Sequence, residues 1–158
     1  MAAQIPDIII VSGEKKDLLT NPLESYWADS GKRKPAFQIS DSCQRGYVAT
    51  WQILQNELVL SSIDDEFYQQ RFLLGKKLVK TSLQLLFPQC KGQSVKANWY
   101  CGKLRVPVGN MTAYAPHAYD SRFEKEMIIS VDKGIIIKVA TLDFTKQQLI
   151  IDRSEIQR

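Results

Sequence analysis

His117 is the only histidine in the chain, and Asp120, Arg122, Glu124 and Glu126 follow it within nine residues. An imidazole beside a carboxylate is an effective acid–base pair, so His117 with Asp120 or Glu124 is the catalytic arrangement this chain could assemble. Glu124 and Glu126 run into a strand-forming segment, however, where charges usually form the solvent-facing set. The same stretch, NMTAYAPHAYDSRFEKE at 110–126, also holds Tyr114, Tyr119 and Phe123. Tyrosine brings a large contact area at little rotamer entropy and is favoured on recognition surfaces. Tyr114, His117, Tyr119 and Arg122 are therefore the candidate binding residues. The competing reading is that these aromatics fold back over one end of a sheet.

Other chemistries lack the residues they need. A zinc site takes three or four His or Cys ligands at short spacing, and neither C-x-x-C nor H-x-x-x-H occurs. No metal and no cofactor is expected. No glycine-rich loop matches a phosphate cradle, and no G-x-S-x-G elbow presents a nucleophile. Cys101, in WYCGK, has Lys103 close by, which would favour the thiolate. A buried thiol packing as a small hydrophobe is the plainer expectation.

Composition suits one soluble globular domain, 1–158: 44% hydrophobic and 24% charged residues over 158 positions. The opening MAAQIPDIIIVSGEKK has no basic leader and only a short apolar run, so it does not read as a signal peptide. No apolar stretch reaches membrane-spanning length. Three widely spaced cysteines fit free thiols in a cytoplasmic protein. The net charge of +4 is mild. Its densest pieces, Lys32-Arg33-Lys34 and Lys76, Lys77 and Lys80, would be the nucleic-acid contacts if there were any, but no aromatic-laced basic stripe accompanies them.

The elements that must position these residues are mostly strands. DIIIV at 7–11 and KDLL, around Ser12-Gly13, suggest an opening hairpin. Asn21, Pro22 and Glu24 spell a helix start, giving a short helix over 22–28. GYVATWQILQNELVLSSI alternates on both sides of Gln55-Asn56 and predicts a hairpin with Trp51, Leu58 and Leu60 facing the core. Residues 64–87 read as a turn-rich part followed by a helix near 76–86, ended by Pro88. SVKANWYCGKLRVPV at 94–108 alternates like a strand, with Gly102 at a bend and Pro107 at an edge or end. A loop of fourteen residues follows from Gly109. A hairpin turning at Asp132-Lys133-Gly134 and a last strand at 148–151 complete the chain. The expected fold is α+β and β-dominated: an antiparallel sheet of about seven or eight short strands, hairpins at 47–63 and 126–142, and one or two short helices.

RGYVATWQI, followed by a leucine-rich strand, and VKANWYCGKLRVPVG give the chain a resemblance to a family of small bacterial proteins that also share NPLESYW and LFP. That family has no established activity, so the resemblance implies no catalytic residue. The leading functional expectation is a non-enzymatic cytoplasmic binding module, in its concrete form an immunity- or antitoxin-like protein that blocks a partner protein. The positive charge favours a partner with an acidic face. The alternatives are a small enzyme using His117 and a nucleic-acid-binding protein using the lysine clusters.

Overall fold

A computed structural model describes residues 4–65, 67–71, 75–79, 83–90, 93–113, 122–144 and 148–151. Three hairpins are built as alternation predicts: β1 (Asp7–Val11) with β2 (Glu14–Leu18), β3 (Tyr47–Leu54) with β4 (Glu57–Asp65), and β9 (Arg122–Asp132) with β10 (Ile135–Asp143). Their two-residue turns all take positive φ: 51° and 80° at Ser12-Gly13, 50° and 66° at Gln55-Asn56, 48° and 80° at Lys133-Gly134. That mirror-image turn matches the twist of paired strands.

The strands join in a mostly antiparallel sheet ordered β2-β1-β3-β4-β10-β9-β8, where β8 is Gly102–Ala113. Two short strands flank this path. β7 (Val95–Lys96) pairs with β4, and β11 (Gln148–Ile151) pairs with β10. Leu19 N–H donates to the Arg105 carbonyl at 2.8 Å, and the Arg105 N–H donates to Thr20 Oγ1 at 3.1 Å. The end of β2 thus meets β8, and the sheet curls around one core. Helix α1 (Pro22–Ser30) packs on that core through Leu23 and Trp27, which stand one turn apart. Trp51, Leu58 and Leu60 are fully buried, as expected for the face that β3 and β4 share.

Several expectations are corrected. The strand path has seven members with two short strands beside it, close to the expected seven or eight, but the sheet is not purely antiparallel, because β1 runs parallel to β3. Parallel neighbours need a long crossover; residues 12–46 supply it, and no local pattern announces such a pairing. The helix near 76–86 shrinks to α2 (Leu83–Leu86), while β5 (Phe67–Arg71) and β6 (Gly75–Val79) form a separate hairpin. Acidic residues ahead of lysines suit a helix dipole, but the backbone register instead sets Phe67 opposite Val79 and Tyr68 opposite Leu78. Trp99 lies on a turn between β7 and β8, not on a strand.

The loop expected from Gly109 begins instead as strand. β8 continues to Ala113 through two register shifts, with Gly109 at φ +83°. Bulges break alternation, which is why the sequence shows no period there. Asn21 occupies the cap position of α1 but makes no side-chain cap bond. Pro107 does stand on the outermost strand of the path, as a residue without an N–H should.

One buried ion pair holds the parallel strands. Asp7, with no exposed surface, accepts from Arg45 Nη2 at 2.6 Å, Ala49 N–H at 3.1 Å and Trp51 Nε1 at 3.1 Å. The carboxylate thereby continues the β1–β3 ladder past Ile8, where backbone pairing starts. Arg45→Ala leaves this carboxylate buried and unpaired. The expected loss is about 3–5 kcal/mol, or roughly 6–20 °C in Tm for a chain of this size, measured by thermal denaturation.

Candidate functional site

The candidate site is a corner built by α1, the irregular segment 31–46 and the first residue of β3. Helix α1 ends at Gly31, and the chain then doubles back along it. Glu24 and Trp27, three residues apart, stand on one helix face. Lys34 returns to that face, and its Nζ lies 2.8 Å from Glu24 Oε1. Phe37 and Tyr47 close the corner. Ring centroids are separated by 5.8 Å for Trp27–Phe37, 5.7 Å for Trp27–Tyr47 and 5.2 Å for Phe37–Tyr47. The Lys34 ammonium caps all three, at 5.5 Å from Trp27, 5.9 Å from Phe37 and 5.4 Å from Tyr47. Lys32 lies 5.6 Å from the ring of Tyr26 beside them. These distances fall inside the roughly 6 Å over which an aromatic face attracts a cation.

Residues 38–46 are tied from below. Ser40 and Cys43 exchange backbone hydrogen bonds at 3.1 Å, and Ile5 N–H donates to the Ser42 carbonyl at 2.7 Å. Arg45 Nη1 donates to the Ile5 carbonyl at 2.6 Å while its other arm holds Asp7. The guanidinium also stands 5.3 Å from the Tyr47 ring, so that ring is flanked by two cations. An open groove of about 380 Å³ includes Tyr47 in its lining, with Gln38, Ser40, Cys43 and Asp64 among others.

Burial pushes the Tyr47 phenol well above its ordinary value, and the Asp7 and Glu24 carboxylates add to the shift while Arg45 opposes it. Its hydroxyl is buried and meets no partner at full hydrogen-bonding distance and angle, with the Glu24 carboxylate as its polar neighbour. Burial also raises the Asp7 carboxyl, with Arg45, Trp51 and Ala49 pulling it back.

The sequence-derived site residues are placed differently. Tyr114, His117, Tyr119 and Asp120 lie outside the described residues. Arg122 opens β9, exposed, opposite Ala113. Glu124 accepts the Asn110 N–H at 3.2 Å beneath the bulge at Gly109, so its carboxylate serves the strand pairing. Glu126, expected at the solvent face, is buried and paired with Arg105 at 2.5 Å. Cys101 is exposed rather than packed in the core; its thiol donates to Asp132 Oδ1 at 3.5 Å and accepts the Lys133 N–H at 3.3 Å.

Lys32-Arg33-Lys34 divides: Lys34 is engaged in the corner, while Lys32 and Arg33 are exposed. Lys76 and Lys77 sit on β6, opposite Gln70 and Gln69, and Lys80 lies outside the described residues. Sequence reasoning weighs Lys32-Arg33-Lys34 only as nucleic-acid contacts and misses the corner. The usable signal was Glu24 and Trp27 on one turn, a glycine stop, and a lysine just ahead of Pro35 and Phe37. No family model, curated protein or solved structure matches the chain.

Gly46 fixes the corner's geometry. It has φ +85°, and a Cβ there would lie 2.4 Å from Phe37 Cβ. Gly46→Ala is expected to displace Phe37 from Tyr47 and to destabilise by at least about 1–2 kcal/mol from the left-handed backbone alone, read as a lowered denaturation midpoint. Tyr47→Phe tests the phenol. An unfolded tyrosine ionises above about pH 10 while the folded one resists, so the unfolded state binds fewer protons and stability falls as pH rises. The Tyr47 contribution is complete below that pH and is lost above it. Tyr47→Phe should be at least as stable at neutral pH, since it removes an unpartnered hydroxyl, and should lose stability less steeply above pH 10. Burial raises the Tyr100 phenol too, so part of the alkaline decline remains. Urea titrations at several pH values check both.

Proposed function

We propose that this protein is a non-enzymatic binding module that engages another protein, with immunity- or antitoxin-like occlusion of that partner as the concrete form. The observation that carries this reading is the corner around Tyr47: an irregular segment, held on the sheet by a buried ion pair, that presents exposed cations and an open groove beside a packed aromatic cluster. Binding residues concentrate on loops held by a rigid scaffold, and aromatic side chains with arginine dominate interface energetics. The roles of Glu124 and Glu126 in joining β8 to β9 weigh against an acid–base pair drawn from that strand.

Lys32 and Arg33 stand exposed at the rim of the corner, which suits a partner with an acidic face and attractive, opposite-signed steering of encounter. The test is co-purification from native lysate at low salt. A stoichiometric protein partner is expected with the native chain, reduced at least tenfold by the double reversal Lys32→Glu, Arg33→Glu at unchanged Tm. Absence of any stoichiometric partner, or capture indifferent to the reversal, removes this reading.

A further inference from the structure

We propose that the three-ring platform of Trp27, Phe37 and Tyr47 with the Glu24 carboxylate is a recognition site for an alkylammonium group of the lysine type, and that Lys34 is its resident intramolecular occupant. The inference rests on the binding-module reading and names the chemistry of one contact.

The components of an ammonium site are all present. Three aromatic faces meet at centroid separations of 5.2–5.8 Å, and a carboxylate stands at their open side. Aromatic faces attract alkylammonium through their negative quadrupole, more strongly when water is excluded; Trp27, Phe37 and Tyr47 are each at least nine-tenths buried. That a primary ammonium on a four-carbon stem fits is shown by Lys34 itself.

Lys34 nevertheless occupies the site incompletely. Its ammonium lies 5.4–5.9 Å from each ring, towards the outer limit of the attraction, and a third of its side chain remains exposed. The Tyr47 hydroxyl, in a residue 1% exposed, has the Glu24 carboxylate as its polar neighbour and no N–H donor in hydrogen-bonding geometry. A buried acceptor without a donor is an incentive for a ligand that supplies one. The tether is also suited to release, since residues 31–36 form neither helix nor strand and Gly31, Lys32 and Arg33 are exposed. The Glu24–Lys34 pair is more than one-third exposed at Glu24, the class of ion pair that holds least firmly. An incoming lysine side chain of a partner replaces Lys34 on the same rings and carboxylate and, free of the tether, turns one of its three N–H groups to the Tyr47 oxygen.

A tethered lysine competes at an effective concentration on the order of millimolar, so removing it should reveal the site to free ligand. The experiment follows the Trp27 indole N–H by NMR during titration with n-butylammonium chloride, tetramethylammonium chloride and, at matched ionic strength, sodium chloride. Lys34→Ala is expected to saturate with n-butylammonium at a concentration at least tenfold below that of the native chain, with sodium chloride giving no saturable shift. Adding Glu24→Gln should weaken both ammonium ions. Adding Tyr47→Phe should weaken n-butylammonium only, because tetramethylammonium has no N–H to donate. A preference for tetramethylammonium would overturn the lysine-type assignment in favour of a methylated ammonium.

A folded Lys34→Ala with no saturable shift, or with the same midpoint as the native chain, reduces Lys34 to a clamp between helix and loop and overturns the proposal. If Lys34→Ala does not fold, Lys34→Gln keeps the stem, removes the competing charge and carries the same expectation. Failure here with partner capture intact refutes only the ammonium site. Loss of partner capture with ammonium binding intact refutes the protein-partner reading instead.

Discussion

The carboxylate of Asp7 is the point on which the rest depends. It is sealed from water and surrounded by donors from three places: Arg45 in the irregular segment, the Ala49 backbone on β3, and the indole of Trp51 in the core. A charge in such a position is tolerated only when every lone pair finds a donor. Meeting that demand fixes the parallel register of β1 on β3 and the orientation of the central tryptophan. It also fixes where residues 38–46 cross the strand ends. Gly46 and Tyr47 follow Arg45 directly, so the corner inherits its placement from the buried pair.

Two ion pairs flank the Tyr47 ring, and their surroundings give them different roles. Arg45–Asp7 is buried on both sides, whereas Lys34–Glu24 is about one-third exposed on both. Breaking a pair of the first kind costs several kcal/mol; one of the second kind contributes about 0–1 kcal/mol, plus about 0.5–1 kcal/mol where a ring adds cation–π attraction at an exposed site. Stability and exchangeability are thus divided between two cations on the same ring. The aromatic network reaches further inward: Tyr26 joins Trp27 to Phe87 and Trp99, and Trp99 meets Trp51 edge-on at 6.3 Å. Trp99 Nε1 also donates to the Pro22 carbonyl at 2.9 Å, which pins the start of α1 to the turn before β8.

Legibility varied with how local each feature is. Ser12-Gly13, Gln55-Asn56 and Lys133-Gly134 announce their turns because few residues accept positive φ, and the flanking alternation then sets the strands. The segment 64–87 misleads because acidic residues ahead of lysines suit a helix, whereas the backbone pairs Phe67 with Val79 and Tyr68 with Leu78 in a hairpin. Residues 109–113 read as loop in the sequence because bulges erase the period of two that marks a strand. Glu124 and Glu126 looked catalytic or solvent-facing from their neighbours in sequence; their partners, Asn110 and Arg105, belong to the adjacent strand.

By itself the sequence determined that the chain is β-dominated, where its main hairpins turn, and which of Trp51, Leu58 and Leu60 face inward, since these follow from alternation and backbone sterics within a few residues. Tertiary structure alone decided that Asp7 and Arg45, 38 positions apart, neutralise each other, and that Lys34 lies over three rings rather than in water. Both outcomes depend on desolvation, which is a property of what surrounds a group after folding and leaves no mark on the residues beside it in the chain.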